Sequence, residues 1–200
     1  MKLFYSPLSP YVRKVMITAH ELGLADRIEK VELPTTPLDP NPDVVGANPV
    51  GRIPALVTED HGTLMDSRVI CQYLNHLGGG SLYGNDPDFR LLARAALAEG
   101  ITDSSLLAAY EARMRPEEKR HQPWVDAQYA KILSGLKAFD ARVDELGGDL
   151  TIDQIALISA LGHIDFRHGQ LGWEEQCPAL ADWYASFAGR PSVQATVPVA

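Results

Sequence analysis

Phe4-Tyr5-Ser6-Pro7-Leu8-Ser9-Pro10-Tyr11-Val12-Arg13-Lys14 is the stretch on which the reading of this chain turns. Lys2 to Ser6 is short, mostly apolar and closed by a proline, as a buried strand is. Ser9-Pro10 then reads as the N-cap and first residue of a helix, since proline has no amide to lose there. Val12, Val15, Met16, Ala19 and Leu22 recur behind it at helical spacing, and Gly23 ends the helix. A strand therefore delivers a hydroxyl to a helix N-terminus, where unpaired N–H groups and the dipole favour an anion or a thiolate. A plain helix cap has the same sequence, so function has to be argued from the rest of the chain.

Outward from this stretch, Ile28 to Leu33 alternates apolar and charged residues and reads as a second strand. Pro34, Pro37, Pro40, Pro42 and Pro49 punctuate the loop after it, with room for one short helical turn near Asp43 to Gly46. Gly51-Arg52-Ile53-Pro54 introduces a third strand, Ala55 to Thr58; His61-Gly62 makes a hairpin turn and Thr63 to Met65 returns. Asp66-Ser67 opens a helix with Val69, Ile70, Tyr73, Leu74 and Leu77 on one face, ended by Gly78-Gly79-Gly80. The first two strands are joined through a helix and are expected to be parallel; the last two are joined tightly and must be antiparallel. The expectation is an α/β domain over residues 1–78, a mixed four-stranded sheet with helices on its faces.

Past a linker at 79–86 the strand pattern disappears, and an all-helical domain is expected over 87–200. Its helices run from Pro87 to about Arg115, Trp124 to Leu146, Ile152 to about His168 and Ala179 to Ala188. In the second of these Ile132, Leu136, Phe139, Val143 and Leu146 form a stripe. Ile152 to Ile164 is apolar nearly all round, which marks the buried central helix of a bundle. Thr151 and Gln154 supply a capping box at its start.

The 200 residues are 46% hydrophobic, enough for a sizeable core, and carry a net charge of −8. The first 78 residues contribute −2 and the remainder −6, so the acidic excess lies in the helical half and a nucleic-acid partner is not expected. Cys71 falls among apolar residues of a helix, as core, and Cys177-Pro178 is a loop that needs no redox role. Neither a signal segment nor a long apolar run is visible, so the chain reads as cytoplasmic and without a membrane partner. His163 and His168 invite a metal reading. On a helix they point about 140° apart and neither has a partner at i+4, so they read as core or surface histidines, and no metal is expected.

Three pieces in this order, Ser9-Pro10-Tyr11-Val12-Arg13-Lys14-Val15, Asn48-Pro49-Val50-Gly51-Arg52-Ile53-Pro54-Ala55-Leu56 and Asp66-Ser67-Arg68-Val69-Ile70, together with the two-domain organisation, resemble the cytosolic glutathione S-transferase family. The resemblance spans essentially the whole chain and is to the bacterial type with serine at the catalytic position. It implies a thioredoxin-like first domain with Pro54 as its cis-proline, and glutathione as co-substrate with no further cofactor. It implies that the Ile53 backbone pairs with the cysteinyl part of glutathione as an added strand. Ser67 and the free amides at its helix start would take the γ-glutamyl carboxylate, and Asp66 the amino group. Arg52 would reach the glycyl carboxylate, where the family more often has Lys or Gln. Asp66-Ser67 as an ordinary cap pair is the plainer account.

Ser9 stands where glutaredoxins, on the same fold, carry the first cysteine of Cys-Pro-Tyr-Cys. Ser9-Pro10-Tyr11-Val12 has neither sulfur, which excludes dithiol chemistry there. In serine-type transferases the hydroxyl bonds the glutathione sulfur and favours thiolate. Ser9 ranks first for that role, Tyr5 at the strand end second, as in tyrosine-type members, and Ser6, which reads better as a cap of the turn, third. Arg13, one turn above Ser9, either supports the thiolate or is a solvated charge.

The implied activity is attack of the glutathione thiolate on a small hydrophobic electrophile, a detoxifying conjugation. Tyr11, Tyr110, Arg113 and Met114 are the expected walls of the electrophile pocket. A homodimer is implied, in which the partner subunit's Asp103 reaches the glutathione amino group; a solvent-facing helical acid is the alternative. Two other readings share the fold: a transferase-like binding or regulatory module without turnover, and a glutathione-dependent peroxidase or dehalogenase.

Overall fold

In Lys2–Tyr5 (β1) Leu3 and Phe4 point to opposite faces of a sheet, as successive strand residues must, and each anchors its own cluster of buried residues. A computed structural model of the chain describes residues 1–84 and 88–198. After β1 come Pro10–Glu21 (α1), Glu29–Glu32 (β2), Pro42–Ala47 (α2), Ala55–Val57 (β3), Thr63–Leu64 (β4) and Ser67–Leu77 (α3). The strand order is β2-β1-β3-β4. β1 runs parallel to β2, Lys2 opposite Glu29, and antiparallel to β3, Phe4 opposite Ala55. β3 is antiparallel to β4, Leu56 opposite Leu64. This is the mixed sheet of a thioredoxin-like domain, as the sequence led us to expect.

α1 and α3 cover one face, where Leu3, Val15, Ile17, Leu56, Ile70 and Leu74 have no solvent exposure. α2 covers the other, with Val44 on Phe4 and Ala55. The Thr18 hydroxyl bonds Cys71 Sγ at 3.4 Å and Leu22 packs on Gly78, so α1 and α3 run in the same direction. Cys71 is core, as expected. Val69 is a correction: it lies 200° round α3 from Cys71, and is 44% exposed, not on the inner face.

The second half is helical throughout: Phe89–Met114 (α4), Gln122–Asp140 (α5), Ile152–His168 (α6), Trp173–Gln176 (α7), Pro178–Ala185 (α8) and Pro191–Gln194 (α9). Asp86 and Pro87, on which the expected domain boundary falls, lie outside the described residues. α4 is capped by Asp88, whose carboxylate takes the amides of Arg90 and Leu91 at 2.8 and 3.2 Å. Every residue of α6 from Ile152 to Ile164 is buried. Ile155 and Ile158 join the core of the sheet domain, and Leu157 and Leu161 join a second core with Ile132, Leu136, Trp173 and Leu180. One helix thus belongs to both cores, and each of its large apolar side chains is worth about 1.5–3 kcal/mol of burial.

Three expectations are revised by this packing. α5 stops at Asp140, and Val143–Leu146 forms a separate 3₁₀ turn. That turn lets the Leu146 carbonyl accept from Gln154 Nε2 at 2.9 Å and Trp183 Nε1 at 3.3 Å. The capping box at α6 does not form. Gln154 is used by Leu146, and the Thr151 hydroxyl donates to Asp153 at 2.6 Å instead. Asp153 is fully buried and bound to Arg94 of α4 at 2.7 Å, so its remaining lone pairs need a donor. The last expected helix is α8, shorter than read, and flanked by two four-residue helices too brief to show a period.

Candidate active site

The sheet topology alone brings the three quoted sequence pieces to one place. β1 ends toward Ser9, β3 starts at that same end because it is antiparallel to β1, and β4, antiparallel to β3, ends there before Asp66. Since α1 and α3 are parallel, their N-termini open on the same side.

Ser9 caps α1, its Oγ accepting the Val12 amide at 3.3 Å. The hydroxyl accepts in that bond, and no described residue accepts its proton, so it is left to donate outward. Ser6 caps the preceding turn, accepting Leu8 N at 3.4 Å. Tyr5, opposite Glu32 of β2, has the Lys30 ammonium 5.3 Å over its ring. Its phenol is pushed up from its ordinary range by burial and then by the Glu32 charge. Tyr5 is therefore drawn over the outer strand β2, on the opposite side of β1 from Ile53 and Pro54.

The Ile53–Pro54 peptide is cis, as is Met65–Asp66. Ile53 is half-buried and Pro54 buried, while the Arg52 side chain is exposed and its carbonyl accepts from Asn48 Nδ2 at 2.8 Å. Asp66 caps α3 through the Arg68 amide at 2.8 Å and pairs with the Arg68 guanidinium at 2.9 Å. Burial acts to raise its pKa, but the bonds from Arg68 outweigh it and hold the carboxyl below its ordinary value. Ser67 is 2% exposed, the first residue of α3.

Against this edge lies α4. The Tyr11 hydroxyl donates to Asp103, and Lys14, one turn further along α1, pairs with Glu99, one turn back along α4. Asp103 is thus neither unpartnered nor merely solvent-facing within its own chain. Burial first, then the bond to Asp103, drive the Tyr11 phenol far above its ordinary value, so it stays a neutral donor. Arg13 is a clear correction. It is 4% exposed, so not a solvated charge, and it points away from the Ser9 cap into α6, where Nη1 reaches the Ile158 carbonyl at 3.4 Å and Gly162 leaves room for it.

A groove of about 690 Å³ opens between the loop after β2 and the end of α4, lined by Pro37, Leu38, Leu107, Tyr110, Met114 and Trp124 among others. Of the expected pocket walls Tyr110 and Met114 line it; Tyr11 and Arg113 do not. Pro37, Leu38, Leu107 and Trp124 were missed. Their signal was apolar residues in a proline-rich loop and on exposed helix faces, which by itself does not separate a groove from scattered surface. His163 and His168 are both buried, not divergent: their ring centroids are 6.1 Å apart. His163 Nδ1 lies 2.7 Å from Ser105 Oγ, and His168 Nε2 is 2.8 Å from the Ser105 carbonyl.

A thioredoxin-like domain with the N-termini of two helices at one end of its sheet, followed by a helical domain, is the class this geometry defines. The sequence pattern of "Glutathione S-transferase, N-terminal domain" matches residues 8–77, and that of "Glutathione S-transferase, C-terminal domain" matches 122–186. Glutathione S-transferase 3 of Zea mays is 30% identical over 98% of this chain and 93% of its own length. The GST-like protein YibF of Escherichia coli is 29% identical over 99% and 98%. A glutathione transferase family member from Pseudomonas fluorescens Pf-5, solved with bound glutathione, is 40% identical and superposes with a TM-score of 0.96 over 100% of this chain and 99% of that one. The chain belongs to the glutathione S-transferase family. The Pseudomonas fluorescens family member with bound S-(propanoic acid)-glutathione superposes at 0.92, again with 40% identity and full coverage of both chains.

Proposed function

We propose that the chain is a glutathione transferase in which the Ser9 hydroxyl donates a hydrogen bond to the glutathione sulfur and so favours the thiolate. The observation that carries this reading is the convergence of the Ser9 cap, the start of β3 and the Asp66-Ser67 cap at one end of the sheet. A free thiol titrates near pH ~8.5, and lowering that by about two units takes roughly 2.7 kcal/mol. One charge-assisted hydrogen bond of about 1.5–3 kcal/mol with a helix-terminus contribution of about 0.3–1 kcal/mol is sufficient without a general base. Tyr5 is the poorer candidate, because Lys30 engages its ring and burial, then the Glu32 charge, raises its proton affinity.

In this reading the thiol proton passes to solvent and the thiolate forms a carbon–sulfur bond to the electrophile. Any leaving group departs with its bonding pair. Ile53 pairs with the cysteinyl backbone, and Ser67 takes the γ-glutamyl carboxylate. Asp66, freed in part from Arg68, meets the ammonium, and Arg52 the glycyl carboxylate. The conjugate held by the Pseudomonas fluorescens relative is a thioether of glutathione, the product type this chemistry forms. The groove beside Tyr110 accommodates an apolar electrophile. A homodimer is supported by the exposed Val69 of α3 and Leu97 of α4, 44% and 39% exposed, and sedimentation at micromolar concentration tests it. The function itself is tested by retention on immobilised glutathione and turnover of 1-chloro-2,4-dinitrobenzene within a broad electrophile panel. Absence of both removes the proposal.

A further inference from the structure

Resting on that reading, we propose that Tyr11 is a positioning residue for the thiolate: its hydrogen bond to Asp103 fixes the first turn of α1, and with it the direction in which Ser9 meets the glutathione sulfur. The local bonds of that turn are long. Ser9 N reaches the Ser6 carbonyl at 3.2 Å, Leu8 N the Ser6 hydroxyl at 3.4 Å and Val12 N the Ser9 hydroxyl at 3.3 Å, against an ordinary N–H···O separation of about 2.9–3.0 Å. Ser6 to Ser9 is half-buried throughout, and Pro7 and Pro10 bring no amide to the turn. The side chains of Tyr11, Val12 and Arg13 therefore have to hold it. Val12 does so by burial in the core, which has no direction, and Arg13 by a 3.4 Å bond to the Ile158 carbonyl of α6. Tyr11 does so by a hydroxyl–carboxylate bond to α4, the stronger and more directional kind.

The backbone of Tyr11 makes its position matter further. Of the amides that open α1, Pro10 has none, Val12 gives its own to Ser9 Oγ and Arg13 to the Ser9 carbonyl at 2.9 Å. Among the described residues nothing accepts the Tyr11 amide. An anion at this helix start thus meets two donors, the Ser9 hydroxyl and the Tyr11 N–H, and both belong to the turn that the Tyr11 side chain ties down. A second bridge, Lys14 to Glu99, joins the same two helices one turn further back. It lies behind the donors, and so separates holding the helix from holding its first turn. A carboxylate beside a thiolate raises the thiol pKa. What Asp103 contributes here is therefore its accepting oxygen, not its charge.

The test follows the bound glutathione thiol by ultraviolet absorbance against pH. Tyr11→Phe removes one oxygen and keeps the ring. Its thiol pKa is expected to rise by about one unit, a roughly tenfold loss of thiolate below both values. Glutathione affinity at pH ~5.5, where the bound thiol is protonated, should change less than about twofold. Asp103→Asn and Asp103→Leu both remove the charge, but only asparagine keeps the acceptor, so the leucine variant should titrate about one unit above the asparagine variant. Adding Tyr11→Phe to Asp103→Leu should change nothing further, since one bond is lost only once. The double variant Lys14→Met with Glu99→Leu should leave the thiol at its wild-type value. The inference is overturned if Tyr11→Phe lowers stability to urea without moving the thiol, or if the two Asp103 variants titrate alike. An equal shift on loss of the Lys14–Glu99 bridge overturns it too. Ser9→Ala, titrated alongside, keeps the two levels apart: if its thiol stays at the wild-type value the underlying reading fails and the inference with it, whereas a shift there with none in Tyr11→Phe removes the inference alone.

Discussion

Lowering the pH from 7.5 to 4.5 is expected to destabilise the protein through His163, and the structure sets the size of the effect. Ser105 Oγ lies 2.7 Å from His163 Nδ1, in the buried contact between α4 and α6. His168 donates from Nε2 to the Ser105 carbonyl at 2.8 Å, so its Nδ1 accepts from the Tyr129 hydroxyl at 3.2 Å, which in turn accepts from Gln170 at 2.9 Å. In this pattern both imidazoles are neutral. Burial, followed by the charges of His168, Arg167 and Arg113, lowers His163 to about 3; burial also lowers His168. A folded-state value below the unfolded value of about 6.5 means that the unfolded chain binds the proton first. Stability is then complete above pH ~6.5 and is lost as pH falls toward 3, at about 1.4 kcal/mol per pH unit for this one group. By pH 4.5 the loss is about 2.7 kcal/mol. Urea unfolding of wild type and His163→Leu, extrapolated to water at both pH values, isolates it. At pH 7.5 the substitution should cost about 1–3 kcal/mol, because it orphans the Ser105 hydroxyl. At pH 4.5 that cost should vanish or change sign, since the variant has no such proton to bind and His168 is common to both chains. An identical cost at the two pH values would refute the buried neutral histidine.

Ser9→Ala should reduce turnover about ten- to hundredfold and move the bound thiol back toward pH ~8.5 by ultraviolet thiolate absorbance, with glutathione affinity nearly unchanged. Should Tyr5→Phe produce those changes and Ser9→Ala neither, the wrong hydroxyl has been assigned. Lys14→Met leaves the half-buried Glu99 without its partner and should cost about 3 kcal/mol in chemical unfolding. The double variant with Glu99→Leu should recover most of it. Gly162→Ala would drive a methyl into the space held by Arg13 Nη1, and should destabilise by about 1–3 kcal/mol. Adding Arg13→Met should relieve this, because it removes the Nη1 that the methyl meets; persistence of the full cost in the double variant would count against the packing described.

The features legible in the sequence were those a residue enforces on its own backbone or repeats at a fixed period. Ser9-Pro10 could only begin a helix, and Gly23 and Gly62 take up positive φ of 65° where a helix and a hairpin required it. The all-round apolarity of Ile152 to Ile164 could only mean a helix buried on every side. Strand connections dictated which pairs are parallel, and that alone set the Ser9, Ile53 and Ser67 segments at one end of the sheet.

What tertiary structure decided were the choices of side chains that have two acceptable fates locally. Arg13 can turn to solvent or inward, and only Gly162, from the far half of the chain, makes the inward pocket. Thr151 and Gln154 have a good local cap available, yet the buried Asp153 and the Leu146 carbonyl take them. His168 departs from the helical direction because its backbone, at φ −137°, already leaves α6, which lets its ring come back to Ser105. Local preferences such as a cap are worth about 1 kcal/mol, whereas a buried polar group left without a partner costs about 1–3 kcal/mol and a buried charge more. Whether a buried group finds its partner depends on neighbours distant in sequence, and so these outcomes could be read only from the folded chain.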